Sequence, residues 1–290
     1  MERIGLIQMT SSADVNDNLT YIEQQTALLT KQGAKWVITP ENAVVFGNKE
    51  DYHHNAEVLG DGPIQARMSR LAQQQKVWIL IGSMPLLRDR ESGRQAETTK
   101  AVTTKAVTTT SVLFNPQGDI VAHYDKLHMF DVDVADGHKR YRESETFTPG
   151  NEIVVTETPF GMLGLSICYD VRFPHLYSQL RRLGAQILLV PAAFTAVTGK
   201  AHWEVLLRAR AIENQCWVIA VGQGGHHIGG RETWGHSMVI NPWGEVIASL
   251  DQDAASLIAD IDLEQIESVR SAMPISAHTR FHNQFIEKKS

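Results

Sequence analysis

The sequence predicts an α/β protein in which helices alternate with the strands of mixed sheets. Apolar runs such as Val77–Gly82 have the length and composition of buried strands, whereas Asp14–Lys31 has the apolar spacing of a helix. Thr110–Asn115 and Ile120–Tyr124 flank a turn with the sequence Pro-Gln-Gly-Asp, which indicates a hairpin. Because single strands between helices pair in parallel and hairpins pair antiparallel, the sheets are expected to be mixed.

The remaining elements follow from the same two patterns. Further strands are predicted at Arg3–Met9, Trp36–Thr39, Glu152–Thr156, Leu163–Ile167, Ile187–Val190, Cys216–Val221 and Ser256–Asp260. Further helices are predicted at Ile64–Gln75, Phe173–Leu183, Ala201–Asn214 and Leu263–Ala272, with a hairpin at Trp234–Leu250. Gly33 follows the first helix, where a capping glycine is common. No stretch rich in proline and glycine divides the chain, so residues 1–290 are expected to form one domain.

Composition and charge exclude several classes of protein. The 290 residues are 43% hydrophobic and 21% charged, which is typical of a globular protein and not of a disordered chain. The net charge of −6 argues against a nucleic-acid or anionic-membrane partner, which would favour a basic excess. Two cysteines exclude a disulfide scaffold, and the first residues, MERIGLIQMTSS, contain no apolar stretch of the length typical of a signal peptide, so a reducing, cytoplasmic location is expected.

Residues 98–110 form a tandem five-residue repeat, TTKAVTTKAVTTT. A period of five matches neither a helix nor a known solenoid. We interpret the repeat as a local duplication that lengthens a surface loop or strand, and we assign it no function.

Cys168 is the first candidate for chemistry. An apolar strand leads directly to it in GLSICYDVRFP, and a helix is predicted to start just after it. A residue at such a junction projects from the sheet edge, where active sites of α/β proteins form. A free cysteine is more often a small buried hydrophobe, and we interpret Cys216, within an apolar strand, in that way.

A nucleophilic cysteine needs a nearby base or cation, because a thiol is mostly protonated at neutral pH. Among the histidines, His202 and His236 cannot be paired with Cys168 by spacing. Glu41 follows the strand WVITP and Lys126 follows the strand IVAHY, so both lie at the ends of strands. Isolated residues of these types are more often solvated loop residues, and the residues alone leave the partner open.

Three segments resemble, in order, the motifs of the nitrilase superfamily of carbon–nitrogen hydrolases. They are PEN at Pro40–Asn42, YDKLHMFDVDV at Tyr124–Val134 and GLSICYDVRFP at Gly164–Pro174. The resemblance continues over essentially the whole chain. It implies an α-β-β-α sandwich of two mixed sheets flanked by helices.

The resemblance also implies the roles of the site residues. Cys168 is the expected nucleophile, Glu41 the general base and Lys126 the partner of the oxyanion, with the backbone N–H of Tyr169 as a second donor. The family has a second glutamate, which matches Glu143. RYRESETFTPG contains a second glutamate two residues further on, and Glu145 takes the place of Glu143 if the alignment slips by two residues.

Two further residues bear on the substrate. Arg172, four residues after Cys168, is either a structural partner of an acid such as Asp170 or a guanidinium that binds a substrate carboxylate. Thr198 is expected to add a hydroxyl donor to the same carboxylate. The relatives that the chain resembles most act on short 2-oxo dicarboxylic monoamides, which carry such a group.

The segment Gly222–Ser237 contains many glycines and is predicted to be a flexible loop. Adjacent histidines, His226 and His227, point in different directions and are accompanied by no cluster of ligands, so no metal is expected. The paired histidines, followed by an arginine and by GHS, resemble the branch of the family that acts on deaminated glutathione.

The expected function is therefore that of a cysteine-dependent amidase with no cofactor. Its expected reaction converts deaminated glutathione to 2-oxoglutarate and cysteinylglycine, which is metabolite repair. One alternative is an omega-amidase that acts on 2-oxoglutaramate, and another is a binding subunit without catalysis. A homodimer or larger homo-oligomer is expected, which pairs through the helix Phe173–Leu183 or the C-terminal segment Ile275–Ser290.

Overall fold

The computed structural model describes residues 1–88, 106–281 and 284–285. Its strands are β1 (Glu2–Gln8), β2 (Trp36–Ile38), β3 (Glu57–Val58), β4 (Trp78–Arg88), β5 (Ala106–Phe114), β6 (Ile120–Asp125), β7 (Asp131–Asp133), β8 (Arg140–Arg142), β9 (Val155–Thr158), β10 (Gly161–Leu165), β11 (Ile187–Ala192), β12 (Trp217–Gly222), β13 (Gly224–His226), β14 (Glu232–Trp234), β15 (Met238–Ile240), β16 (Val246–Ser249) and β17 (Ala255–Ile261). Its helices are α1 (Val15–Lys31), α2 (Lys49–His54), α3 (Pro63–Gln75), α4 (Pro174–Arg182), α5 (Ala196–Asn214), α6 (Glu264–Ala272) and α7 (Ile275–His278).

Two mixed sheets contain most of the strands. The first has the order β17-β1-β2-β4-β5-β6, with β3 paired to β4, and the second has the order β16-β15-β12-β11-β10-β9. Strands β1, β2 and β4 are parallel in the first sheet, as are β10, β11 and β12 in the second, while the other pairings at β5, β6, β9, β15 and β17 are antiparallel. The expectation of mixed sheets is confirmed.

Alternate residues of the first sheet belong to two different cores. Trp36 and Ile38 of β2 pack between the sheets, in one cluster with Leu163 and the helices of the second sheet. Val37, between them, packs in the other cluster with Leu29 of α1. Because side chains alternate along a strand, both faces of this sheet are buried. The layers are therefore helix, sheet, sheet and helix, which confirms the expected sandwich.

A close approach between the two sheets occurs at Gly82 in β4. A Cβ atom there would lie 2.2 Å from the carbonyl oxygen of Thr39 and 2.5 Å from Cβ of Pro191. Only glycine allows the chain segments after β2 and within β11 to come so close at this point. The segment after β2 continues to Glu41, and β11 ends one residue before Ala193.

Several element boundaries differ from the prediction. Helix α5 begins at Ala196 and not at Ala201, because the Thr195 side chain caps its first turn by accepting from the N–H of Thr198. The strand predicted at Glu152–Thr156 lies at Val155–Thr158, and the last hairpin comprises β15 and β16 alone. Helix α2, strand β3 and the ribbon of β7 and β8 were not predicted.

The prediction of a flexible loop at Gly222–Ser237 is wrong, because β13 and β14 form an antiparallel ribbon within it. Its glycines allow close backbone approach. A Cβ at Gly224 would lie 2.0 Å from the carbonyl oxygen of Gln252, and one at Gly222 would lie 2.5 Å from that of Gly235.

The first part of the tandem repeat, residues 98–105, lies outside the described residues. The remainder, residues 106–110, forms the buried start of β5. In the ranges that the structure describes, no helix is both long enough and apolar enough to cross a membrane.

Candidate active site

Three chain segments meet where strands of the two sheets end. Glu41 follows β2, Lys126 follows β6 directly and Cys168 follows β10. Strand β6 runs in the same direction as β2, since β5 is antiparallel to both β4 and β6. The carboxyl ends of these strands therefore lie at one edge, and Glu41, Lys126 and Cys168 are buried there, with relative exposures of 3%, 2% and 6%.

Lys126 is held between two carboxylates. Its Nζ donates to Oε1 of Glu41 at 2.8 Å and to both oxygens of Glu143 at 2.8 Å. Glu145, the alternative to Glu143, instead forms a surface ion pair with Arg140 at 3.3 Å. The structure therefore brings Glu143, and not Glu145, to Lys126.

Backbone amides orient both carboxylates. Oε2 of Glu41 accepts from the N–H of Ala193 at 2.7 Å, directly after β11. Oε2 of Glu143 accepts from the N–H of Phe130 at 2.6 Å. These hydrogen bonds orient Oε2 of Glu41 and Oε2 of Glu143, in addition to the bonds from Lys126. The two carboxylates and the ammonium group are therefore held in place before any substrate binds.

The turn that carries Cys168 has an unusual backbone. Cys168 has φ of +48°, the left-handed region, which costs about 1–3 kcal/mol for a residue with a Cβ. Asp170 stabilises the turn, because its carboxylate accepts from the N–H of Ile167 at 2.9 Å and from the hydroxyl of Tyr124 at 2.7 Å. It also accepts from the N–H of His128 at 3.1 Å.

Asp170 therefore ties the Cys168 turn to residues on both sides of Lys126. The sequence suggests Asp170 only as a partner of Arg172, and no ion pair joins those two among the described residues, since Asp170 pairs with His128. The spacing of two residues from Cys168 contains no signal for this role, since all its partners lie in other segments or in the turn itself.

The pKa values follow from burial and from the neighbouring charges. Burial raises the pKa of the Cys168 thiol well above its usual value, the charge of Glu41 adds to this, and Lys126 opposes it. Burial opposes the charged form of Lys126, but Glu143 and Glu41 outweigh that effect and raise its pKa. Burial also raises the pKa of Glu143, against the charge of Lys126. The thiol is therefore protonated at neutral pH, beside a carboxylate.

A cavity of about 280 Å³ opens above this group. The site residues Glu41, Lys126, Glu143, Cys168, Tyr169 and Thr198 line it. Aromatic and charged side chains form much of its walls, and they include Phe46, Tyr52, Phe130, Tyr141, Phe147, Phe194, His138, Arg140, Arg142, Arg231, Glu145 and Glu232. Its volume lies just below the range of about 300–1,000 Å³ that is typical of small-molecule sites.

Arg172 is not among the described residues that line the cavity. Its guanidinium lies 5.0 Å from the centre of the Phe194 ring, and its Nη1 is 3.2 Å from Nδ1 of His202. This position differs from the expected contact with a substrate carboxylate, because Phe194 forms the wall and Arg172 packs on that residue. The Thr198 hydroxyl lies at the wall and bonds with that of Thr195 at 2.7 Å.

The adjacent histidines of the β13–β14 ribbon point in different directions, as predicted. His227 is buried, with Nδ1 at 2.8 Å from the carbonyl oxygen of Ser11 and Nε2 at 2.7 Å from Oγ1 of Thr233. The His226 side chain is 82% exposed. Within the described ranges, no group of three or more His, Cys, Asp or Glu side chains has an arrangement suited to a metal ion.

A buried thiol beside a carboxylate and an ammonium group, under a cavity in a four-layer sandwich, is an arrangement suited to hydrolysis through a cysteine nucleophile. The match to known families agrees: residues 3–271 match the carbon–nitrogen hydrolase family, and the chain belongs to that family. Enzymes of this class hydrolyse carbon–nitrogen bonds of amides.

Individual relatives are similar over nearly their full length. The chain is 45% identical over 287 residues to a deaminated glutathione amidase of Yersinia enterocolitica, covering 99% of this chain and 96% of the relative. It is 42% identical over 277 residues to the Synechocystis protein of the same name, covering 95% and 97%. Nit3 of Saccharomyces cerevisiae, a solved member of branch 10 of the nitrilase superfamily, matches with a TM-score of 0.83 at 28% identity, covering 97% of each chain.

Proposed function

We propose that Cys168, Glu41 and Lys126 carry out amide hydrolysis through a thioester on Cys168. The observation that carries this proposal is the contact of Lys126 Nζ with both Glu41 and Glu143 beside the buried thiol, beneath the cavity. In the first step Sγ attacks the amide carbonyl carbon while Glu41 takes the thiol proton. Direct transfer to Glu41 avoids a free thiolate, which burial disfavours.

The carbonyl oxygen becomes an oxyanion that faces Lys126 and the backbone N–H of Tyr169. A positioned donor of this kind is typically worth about 2.7–4 kcal/mol in the barrier. Glu41 then gives its proton to the leaving amine, and the C–N bond breaks. Glu41 next takes a proton from water, which attacks the thioester, and the thiol recovers a proton as the acid leaves. This sequence uses only side chains and water, so no cofactor or metal takes part.

Glu143 acts as a positioning residue, since it holds Lys126 with both oxygens. Thr198 contributes a hydroxyl at the cavity wall, where it contacts the substrate. Arg172 supports the wall through Phe194 instead of binding the substrate directly. Residues 1–290 act as one carbon–nitrogen hydrolase domain.

The substrate we propose is deaminated glutathione, which is split to 2-oxoglutarate and cysteinylglycine in metabolite repair. The relatives named deaminated glutathione amidase, at 45% and 42% identity, support this choice. 2-Oxoglutaramate is the second candidate, because its acyl half is the same and only the leaving group differs.

The test compares deaminated glutathione and 2-oxoglutaramate as substrates of the wild-type protein. We expect the higher kcat/KM for deaminated glutathione, measured by release of cysteinylglycine and of ammonia respectively. Mass spectrometry of acid-quenched enzyme should show an acyl group on Cys168. Absence of both turnover and the acyl adduct would indicate a binding subunit and contradict the proposal.

The protein is proposed to act in the cytoplasm as a homodimer or larger homo-oligomer. Large apolar side chains are exposed on α5 at Val205, on the β15–β16 turn at Trp243 and near the C-terminus at Phe281. Contact of these side chains with a second copy would remove their apolar surface from water. Light scattering at micromolar concentration should give at least twice the monomer mass, and a monomer mass would contradict this expectation.

A further inference from the structure

Arg231 differs from the other arginines at the cavity. Arg140 pairs with Glu145 at 3.3 Å, and Arg142 pairs with Asp133 at 2.9 Å. In the described part of the chain, no carboxylate makes an ion pair with the guanidinium of Arg231, although that residue lines the cavity. Its charge is therefore available to a ligand that enters.

The Arg231 guanidinium lies against an aromatic ring that is itself packed on a buried residue. It is 5.3 Å from the centre of the Phe46 ring, and the same ring stacks on the buried His227 at 4.1 Å. His227 is bonded to the backbone carbonyl of Ser11, in the segment that follows β1, and to the hydroxyl of Thr233 in β14. These bonds attach the β13–β14 ribbon to the segment after β1. A cation on a supported aromatic face loses less freedom when a ligand binds.

The charge of Arg231 acts toward the interior of the cavity. Burial raises the pKa of Tyr52 to about 12, Arg231 opposes that shift, and Glu41 and Glu143 add to it. One cavity side chain is thus influenced by both Arg231 and the carboxylates at the base of the cavity. Arg231, Glu41, Glu143 and Cys168 line the same cavity, so a cation lies on its wall and the thiol at its base.

We propose that Arg231 binds a carboxylate of the substrate and so selects carboxylate-bearing amides over neutral ones. A guanidinium binds a carboxylate with two parallel hydrogen bonds, which fixes both position and orientation. This inference rests on the proposed amidase function. Deaminated glutathione has two such groups, one at the oxo-acid end and one on the terminal glycine, and the experiment separates them.

The experiment measures kcat and KM of wild type and Arg231→Gln on four amides. They are deaminated glutathione, its C-terminal glycinamide form, 2-oxoglutaramate, and 4-oxopentanamide, in which a methyl group replaces the carboxylate of 2-oxoglutaramate. Losing a charge-assisted bidentate contact should lower kcat/KM by about 10- to 100-fold, mainly through KM, on each substrate that uses it. Arg231→Lys, which keeps the charge, should recover part of this loss.

Arg208→Gln is the matched control, because Arg208 lies in α5 outside the described lining of the cavity and pairs with Glu204 at the surface. It should change kcat/KM by less than about threefold on every amide. The melting temperature of all variants is measured in parallel. Arg231→Gln should have a melting temperature close to that of the wild type, since it removes no ion pair seen in the described residues.

The pattern of loss decides between the two carboxylates. Loss on all three carboxylate-bearing substrates, with 4-oxopentanamide unchanged, assigns Arg231 to the oxo-acid end. Loss on deaminated glutathione alone assigns it to the glycine carboxylate. An equal change on 4-oxopentanamide, or no change on any substrate, overturns the inference while the amidase function stands. If the wild type hydrolyses only 4-oxopentanamide, the proposed substrate class fails and the Arg231 assignment fails with it.

Discussion

The base of the cavity and its wall are built from the same kind of ion pair in opposite surroundings. At the base, the Lys126–Glu41 pair has side-chain exposures of 1% and 4%, whereas the wall pair Arg140–Glu145 has 65% and 64%. Breaking a buried pair costs about 3–5 kcal/mol, because one charge is left without a partner. A surface pair contributes about 0–1 kcal/mol. Substitutions at the base should therefore destabilise the protein. Substitutions of surface pairs in the wall should cost little stability.

The largest expected effect is at the thiol itself. Cys168→Ala should abolish hydrolysis and leave the melting temperature close to that of the wild type, because no other group can form the thioester. Cys216 is the control: it is fully buried beside α6 and is not among the described residues that line the cavity, so Cys216→Ala should change stability only. Turnover by Cys168→Ala at the wild-type rate would disprove the mechanism.

Removal of the buried cation tests the contrast between base and wall directly. Lys126→Gln should lower kcat by about 100- to 1000-fold, as loss of an oxyanion donor does. It should also lower the free energy of unfolding by about 3–5 kcal/mol, since Glu41 and Glu143 lose their shared partner. Denaturant unfolding of Lys126→Gln and Arg140→Gln gives the comparison, and equal stability losses in the two variants would refute the contrast.

The next effect concerns the support of the Cys168 turn. Asp170→Asn replaces an acceptor of several N–H and O–H groups with a side chain that also donates, which should cost about 1–3 kcal/mol of unfolding free energy. Because the turn holds the thiol, kcat should fall more than KM rises. Asp133→Asn, which alters an exposed partner of Arg142, is the control. A change in KM alone would assign Asp170 to substrate binding instead.

The smallest effect is on the pH dependence of stability. The pKa of Cys168 is raised in the folded protein by burial, and burial also raises that of Cys216 to about 11. The folded state therefore keeps protons that the unfolded chain loses above about pH 8.5, so the free energy of unfolding should fall as pH rises beyond that value. Cys168→Ala and Cys216→Ala should each flatten part of this decline in denaturant titrations between pH 8 and 11. If the free energy of unfolding falls equally with pH in the wild type, Cys168→Ala and Cys216→Ala, the raised pKa values of the two thiols do not cause the decline.

Much of the fold was predictable because apolar periodicity is a local signal. The strand at Trp36–Ile38 and the helix ending at Lys31 follow from residues next to one another. The ribbon of β13 and β14 could not be predicted in this way, because a segment rich in glycine is also typical of a loop. Their use here is to let backbone atoms of Gln252 and Gly235 approach, and those residues are distant or unmarked in the sequence.

The sequence by itself determined which residues meet at the base of the cavity. Glu41, Lys126 and Cys168 each follow an apolar strand, in motifs that resemble one family, and parallel strand ends meet at one edge. Tertiary structure alone decided which glutamate reaches Lys126, what Asp170 holds, and that Arg231 and not Arg172 lines the cavity. The physical reason is that these choices depend on which distant segments pack together, and a side chain's partner across two sheets leaves no periodic trace in the chain.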